Sequence, residues 1–255
     1  MQQVLQTLLF IAPLSFLAGL IDSIAGGGGL ISLPAYLAVG LPPHLAAGTN
    51  KCTAMWGTGV AAFRYIRKKK IHWPSTLAAV VGAFPGATLG ARLNLLVDDR
   101  VMSIVMMVLL PVVGIALIFR PNFGEKENWQ TKPLVQLAFI SFAVGFAVGV
   151  YDGFFGPGTG TFLLLAFTAI SGFDLVTANG NTKIVNLTTN VASMISFALA
   201  GNVWYAVALP AALCNMAGGW VGSGLALTKG AKIIRPVYYV VLTLLLIKII
   251  TDFVA

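Results

Sequence analysis

Two short glycine-rich segments carry the residues best suited to chemistry. One runs from Asp22 through Gly26, Gly27, Gly28 and Gly29; the other runs from Asp152 through Gly156, Gly158, Thr159 and Gly160. Clustered glycines interrupt a helix and leave amide N–H groups without partners, and the helix that follows presents its positive end. Such a turn is a candidate anion cradle. The Gly-Lys-Ser/Thr ending of a nucleotide-binding loop is missing, so nucleotide chemistry is not implied. Each segment is followed by a lysine, Lys51 after Asn50 and Lys183 after Thr182. An ammonium in an apolar segment is costly unless it reaches the interface, pairs with a carboxylate or meets an anion. Lys183, Asn186 and Asn190 share a helical face at spacings of three and seven, so that face should point inward. Asn50, Thr182, Asn186 and Asn190 would then orient the anion, with Lys51 and Lys183 supplying charge from either half. Asp22 and Asp152 fit two roles: counter-charges to the lysines, or holders of a coupling proton or cation.

No nucleophile stands at a recognisable spacing from a base, and His44 and His72 lack companions at metal-ligand spacing. The sequence therefore predicts no enzyme, no metal and no cofactor. Cys52 and Cys214 fall in apolar segments and read as small packing residues rather than as a disulfide.

These residues are positioned by a chain that is 58% hydrophobic and 9% charged over 255 residues, with mean hydropathy +0.89. That is too little polar surface for a water-soluble globule. Apolar runs at 4–21, 75–97, 101–119, 133–150, 204–227 and 236–254 approach or exceed the length of a membrane-spanning helix, and 45–66 and 178–200 are comparable but more polar. The first run lacks the positive start of a secretory signal. The net charge of +8 sits in clusters at helix ends, Arg64–Lys70 and Lys229, Lys232 and Arg235. It reads as loop charge in a bilayer, not as a nucleic-acid surface. Trp73, Trp129, Trp204 and Tyr205 read as interfacial anchors.

The chain repeats itself. Asp22, Gly26 and Gly28 return 130 residues later as Asp152, Gly156 and Gly158; Lys51, Gly86 and Gly90 return after 132 as Lys183, Gly218 and Gly222. The matching loops carry opposite charge. Arg64–Lys70 holds five positive residues while 200–203 holds none, and the acidic 98–100 loop answers the basic Lys229–Arg235. Opposite bias at equivalent loops predicts two inverted-topology repeats. The expected fold is an all-α polytopic membrane protein, each repeat a Gly-tipped helical hairpin plus three spanning helices. The repeats would occupy 1–122 and 133–255, joined by a cytoplasmic linker at 123–132, with both termini outside.

The Asp22–Gly29 tip followed by Pro34, the helix start ending at Asn50-Lys51, and the Tyr151–Gly158 tip resemble the sulfite exporter TauE/SafE family, or toluene sulfonate uptake permeases. The resemblance covers essentially the whole chain and is nearest the bacterial inner-membrane branch. It implies transport of sulfite, organosulfonates or related sulfur oxyanions, by export in several members. The expected partners are a small anion, a coupling proton or cation and the lipid bilayer, with no nucleic acid; a homo-oligomer is left open. A cation- or proton-coupled carrier of another solute, an anion channel and a non-transporting membrane protein remain the alternatives.

Overall fold

The computed structural model describes residues 2–98 and 129–237, together with Arg100, Val101, Ile104, Tyr239 and Val240. Most of the expected spans 101–119 and 236–254, and of the 123–132 linker, lies outside the described residues. Among the described residues all regular structure is helical.

The first helix, α1, covers Gln2–Ala25 and stops where Gly26 and Gly27 adopt φ of 80° and 87°. That left-handed backbone is open to glycine at little cost and halts the helical ladder. A short α2, Gly29–Ala38, follows. Pro43 opens α3, Pro43–Arg67, at a position where a missing N–H costs nothing. The next helix, α4, spans Trp73–Leu96. The same order then recurs. A 3₁₀ turn at Trp129–Thr131 leads into α5, Leu134–Phe154, and a short α6, Thr159–Leu165, extended by a π turn at Ala166–Ile170. Asp174 caps α7, Leu175–Leu199, by accepting hydrogen bonds from Val176 N at 2.9 Å and Thr177 N at 3.1 Å. The last complete helix, α8, is Tyr205–Lys229.

Three described helices, Val4–Ala25, Trp73–Leu96 and Leu134–Phe154, are both long and apolar enough to cross a membrane. The other long helices, α3, α7 and α8, have 25 residues each. At about 1.5 Å per residue these also reach across a bilayer. Leu9, Leu77, Phe139 and Leu213 are among many large apolar side chains left exposed on α1, α4, α5 and α8. Such extended apolar surface belongs against lipid.

The helices interlock across the two halves. The most extensive pairings are α4 with α5 and α1 with α8. Both are built on small residues spaced four apart, which let backbones approach closely in a membrane where burial alone gives little drive. A Cβ on Gly82, Gly86 or Gly90 would strike the backbone of Phe142, Phe146 or Val150, and one on Gly145, Gly149 or Gly153 would strike Ala79, Ala83 or Ala87. The equivalent glycines Gly218 and Gly222 meet Phe16 and Leu20 on α1 in the same way.

At the centre, α3 and α7 pack on each other. The start of α3 lies at the end of α7, since Gly48 abuts the Asn202 carbonyl; the start of α7 lies at the end of α3, since Gly180 abuts the Lys70 carbonyl. The two helices therefore run antiparallel. Two hydrogen bonds repeat the exchange: His72 N donates to Asn181 Oδ1 at 2.9 Å, and Trp204 N donates to Thr49 Oγ1 at 3.0 Å. Trp129, expected as an interfacial anchor, stacks on His72 at 4.5 Å and on Phe173 at 5.6 Å between ring centroids.

Candidate functional site

The two glycine tips meet in the middle of the molecule. Gly26 lies directly on the backbone of Gly160 and Thr161, and a Cβ on Gly29 would stand 3.3 Å from Pro157 Cα. Only glycine allows this approach at Gly26, where φ is also positive. Asn179, from α7, fastens the first tip: its Nδ2 donates to Ile24 O at 2.6 Å and to Tyr65 OH at 2.8 Å. The N–H groups of Gly27, Gly28, Gly29, Gly158 and Gly160 donate none of the backbone hydrogen bonds of the tips.

The lysines cross over. Lys51 Nζ, on α3 of the first half, stands 2.7 Å from Asp152 Oδ1 on α5 of the second. Lys183 Nζ, on α7, stands 3.2 Å from Asp22 Oδ2 on α1 and also donates to the Asp22 carbonyl. Lys51 is 4% exposed and Lys183 0%. Neither reaches an interface, so burial of each charge is offset by its carboxylate. Glycine at 156 makes room for this: a Cβ there would stand 3.0 Å from Lys51 Nζ.

Beside the tips is a narrow cavity of about 30 Å³, room for two or three waters or a solute of few atoms. Asp22, Asn50, Lys51 and Asp152 form part of its wall, as do Asn186 and Asn190 of α7. The tips contribute Gly27, Gly28, Gly29, Gly156, Gly158, Thr159 and Gly160. Three expected residues stand elsewhere. Gly26 is pressed between the tips, Lys183 is tucked behind Asp22, and the Thr182 hydroxyl is buried with no hydrogen-bond partner. The expected inward face of α7 is present, with Lys183, Asn186 and Asn190 all buried, but only its two asparagines reach the cavity.

Sequence reasoning missed Thr58, Ser32 and Asn215, which also line the cavity. Thr58 was within reach, since it stands seven residues after Lys51 as Asn190 stands seven after Lys183. It donates to Asp22 Oδ2 at 3.4 Å. Asn215 is an isolated amide in an apolar helix and has no polar counterpart in the first half, where Ala83 stands. Ser32 donates to the Gly28 carbonyl at 3.1 Å, which holds the first turn of α2.

The chemistry on offer is polar recognition that combines donors with the carboxylates of Asp22 and Asp152. One ammonium, several glycine amides and the side-chain amides of Asn186 and Asn190 converge on one small space. Two buried atoms there lack partners, Asn50 Oδ1 and Asp152 Oδ2. Among the described residues no cluster of His, Cys, Asp or Glu could hold a metal ion.

A family model described as "Sulfite exporter TauE/SafE" matches residues 11–249. The chain is 37% identical over 246 residues to a Sinorhizobium protein named "Probable membrane transporter protein ORF9", covering 96% of this chain and 93% of that one. It is 36% identical to the "Probable membrane transporter protein YfcA" of Escherichia coli (strain K12), covering 97% and 90%. A Haemophilus influenzae protein named "Probable membrane transporter protein" is 34% identical, with 93% and 92% covered. No solved structure gives a significant match.

Proposed function

Because the chain belongs to the sulfite exporter TauE/SafE family, we propose that this membrane transporter carries sulfite, organosulfonates or related small sulfur oxyanions outward across the inner membrane. It works as a secondary carrier, and its site is the cavity beside the crossed ion pairs. The observation that carries this reading is Lys51, a buried ammonium in the wall of a small cavity that glycine-rich backbone, Asn186 and Asn190 also line, beside the carboxylates of Asp22 and Asp152. A compact oxyanion has several acceptor oxygens and suits such a lining.

In the same reading the two repeats are inverted, with a boundary in 123–132 and both termini outside. The charge contrast between Arg64–Lys70 and 200–203 supports this, as does the antiparallel course of the equivalent helices α3 and α7. Broken helices meeting at mid-membrane, one from each repeat, are a common way to build a carrier site.

Binding is tested by thermal stabilisation of the purified protein with sulfite, methanesulfonate, sulfate, acetate and sodium salts. A ligand at a hundred times its Kd adds about 2.7 kcal/mol to the stability of the state that binds it. The sulfur oxyanions are expected to raise Tm and chloride controls to leave it unchanged. A second reading has one observation in its favour, the carboxylates of Asp22 and Asp152 in the same wall. Stabilisation by monovalent cations alone would support a cation carrier and contradict the anion reading.

A further inference from the structure

We propose that Asp152 is the proton carrier of the transport cycle: on taking up a proton it releases the Lys51 ammonium to the anion, so that anion and proton cross together. The proposal rests on the anion-carrier reading and adds the coupling ion and the group that holds it.

The two ion pairs are equivalent by repeat but not by environment. Lys183 is fully enclosed, bound to both the carboxylate and the carbonyl of Asp22, and stands behind the cavity wall. That pair is a staple. Lys51 and Asp152 both line the cavity, whereas of the other pair only Asp22 does. On Asp152, Oδ1 accepts from Lys51 Nζ at 2.7 Å and lies 2.5 Å from Thr159 Oγ1, whereas Oδ2 is buried with no hydrogen-bond partner. Oδ2 is thus an open acceptor on a residue of the cavity wall, the place where a proton or a donor can be received.

Thr159 gives a second, independent sign. Its Oγ1 lies 2.5 Å from Asp152 Oδ1 and 2.6 Å from the Gly156 carbonyl oxygen. A hydroxyl has one hydrogen to donate, and a carbonyl and an ionised carboxylate only accept. With Asp152 ionised, one of these contacts has no hydrogen in it. With Asp152 protonated both are satisfied: the acid donates to the Thr159 hydroxyl, which donates to Gly156.

Charge balance points the same way. Lys51, Lys183, Asp22 and Asp152 sum to zero, so an anion entering alone would leave an uncompensated buried charge. One proton restores neutrality for a monovalent anion. As the O–H bond forms on Asp152, the Lys51–Asp152 pair opens and the ammonium turns to the anion; release of both reverses each step. The charged and titratable groups on the elements around Asp152 are His44, Lys51, Cys52, Arg64, Tyr65 and Arg67 on α3, Asp22 on α1, Lys183 on α7, Arg92 on α4 and Tyr151 beside it on α5. Arg64 donates to the Trp220 carbonyl, Tyr65 accepts from Asn179 and Arg67 is exposed. Arg92 is exposed and His44 is held by Asn94 and the Val97 carbonyl, so Lys51 is the charge Asp152 answers to.

The test uses the full-length protein in liposomes loaded with a pH-sensitive dye, with the membrane potential clamped by potassium and valinomycin. The probe is methanesulfonate, a monovalent anion that stays ionised near neutral pH; sulfite is unsuitable for counting protons because its own protonation carries one. Inward anion gradients are expected to acidify the lumen by about one proton per anion moved. Asp152→Asn is expected to lose that acidification per anion moved. Anion entry without acidification, or with a sodium requirement in its place, overturns the proposal and leaves the anion carrier standing. Acidification retained by Asp152→Asn overturns the assignment to this residue; if that variant does not fold, the wild-type stoichiometry decides. No entry of any anion, sulfite included, overturns the carrier reading, and the proposal falls with it.

Discussion

Lys51 holds its ammonium 2.7 Å from Asp152 where almost no water reaches either group. Removing one partner of such a pair leaves a bare buried charge, which costs about 3–5 kcal/mol, whereas removing both is far less damaging. Lys51→Ala is therefore expected to lower Tm sharply, and Lys51→Ala with Asp152→Ala to recover most of the loss, as measured by thermal unfolding in detergent. Equal destabilisation in single and double variants would mean that the two side chains do not depend on each other. At this scale much was legible. A lysine or aspartate in an apolar segment must have a partner, and the periodicity of Lys183, Asn186 and Asn190 named an inward face. What the sequence could not give was which lysine meets which aspartate. That depends on how the halves interlock, and the interlock crosses the pairs and draws Lys183 out of the cavity wall. The repeat shift could have found Thr58; nothing in the pattern marked Asn215.

Among the elements, the glycine faces of α4 and α5 decide whether the halves stay together. Gly86→Leu or Gly149→Leu would force the two backbones apart, since even a Cβ at either position meets backbone atoms. Loss of the monodisperse folded species in size-exclusion chromatography is expected. Gly40→Ala and Gly201→Ala are the controls. Nothing lies within 4 Å of their added Cβ, and φ of +84° and +74° is the only obstacle. Each should cost about 1–2 kcal/mol and leave the fold intact. The loop that opens α4 makes a different prediction. His72 stacks on Trp129 and Phe173, and burial there lowers its pKa from the ordinary 6.5 because the cation is poorly solvated. As pH falls, the unfolded chain takes up the proton first. The stability due to neutral His72 is thus present above about pH 6.5 and lost as pH drops through the lower folded value. Tm measured from about pH 7.5 down to about pH 5 should fall, and less steeply in His72→Phe. Helix positions were legible from apolar runs and from Gly and Pro punctuation. The part of Trp129 was not, because an indole near a helix end looks alike whether it faces lipid headgroups or a neighbouring ring.

For the whole molecule, the proposed duplication rests on charged and glycine positions that keep register over 130–132 residues in the sequence. The exchange of helices between halves was not, since periodicity tells which face is buried and not which helix buries it. The proposed inverted topology predicts that reporters fused at either terminus are active outside, and that cysteines placed in Arg64–Lys70 react only from the cytoplasmic side. Termini on opposite sides would refute that arrangement. The central claim is that a small anion is carried through a site built around Lys51. Its most direct test is sulfite flux into liposomes containing equal amounts of folded wild-type or Lys51→Ala protein. Losing a charge-assisted hydrogen bond removes about 1.5–3 kcal/mol, so roughly tenfold to hundredfold slower, saturable flux is expected from the variant. Flux as fast through Lys51→Ala as through the wild type would contradict the account.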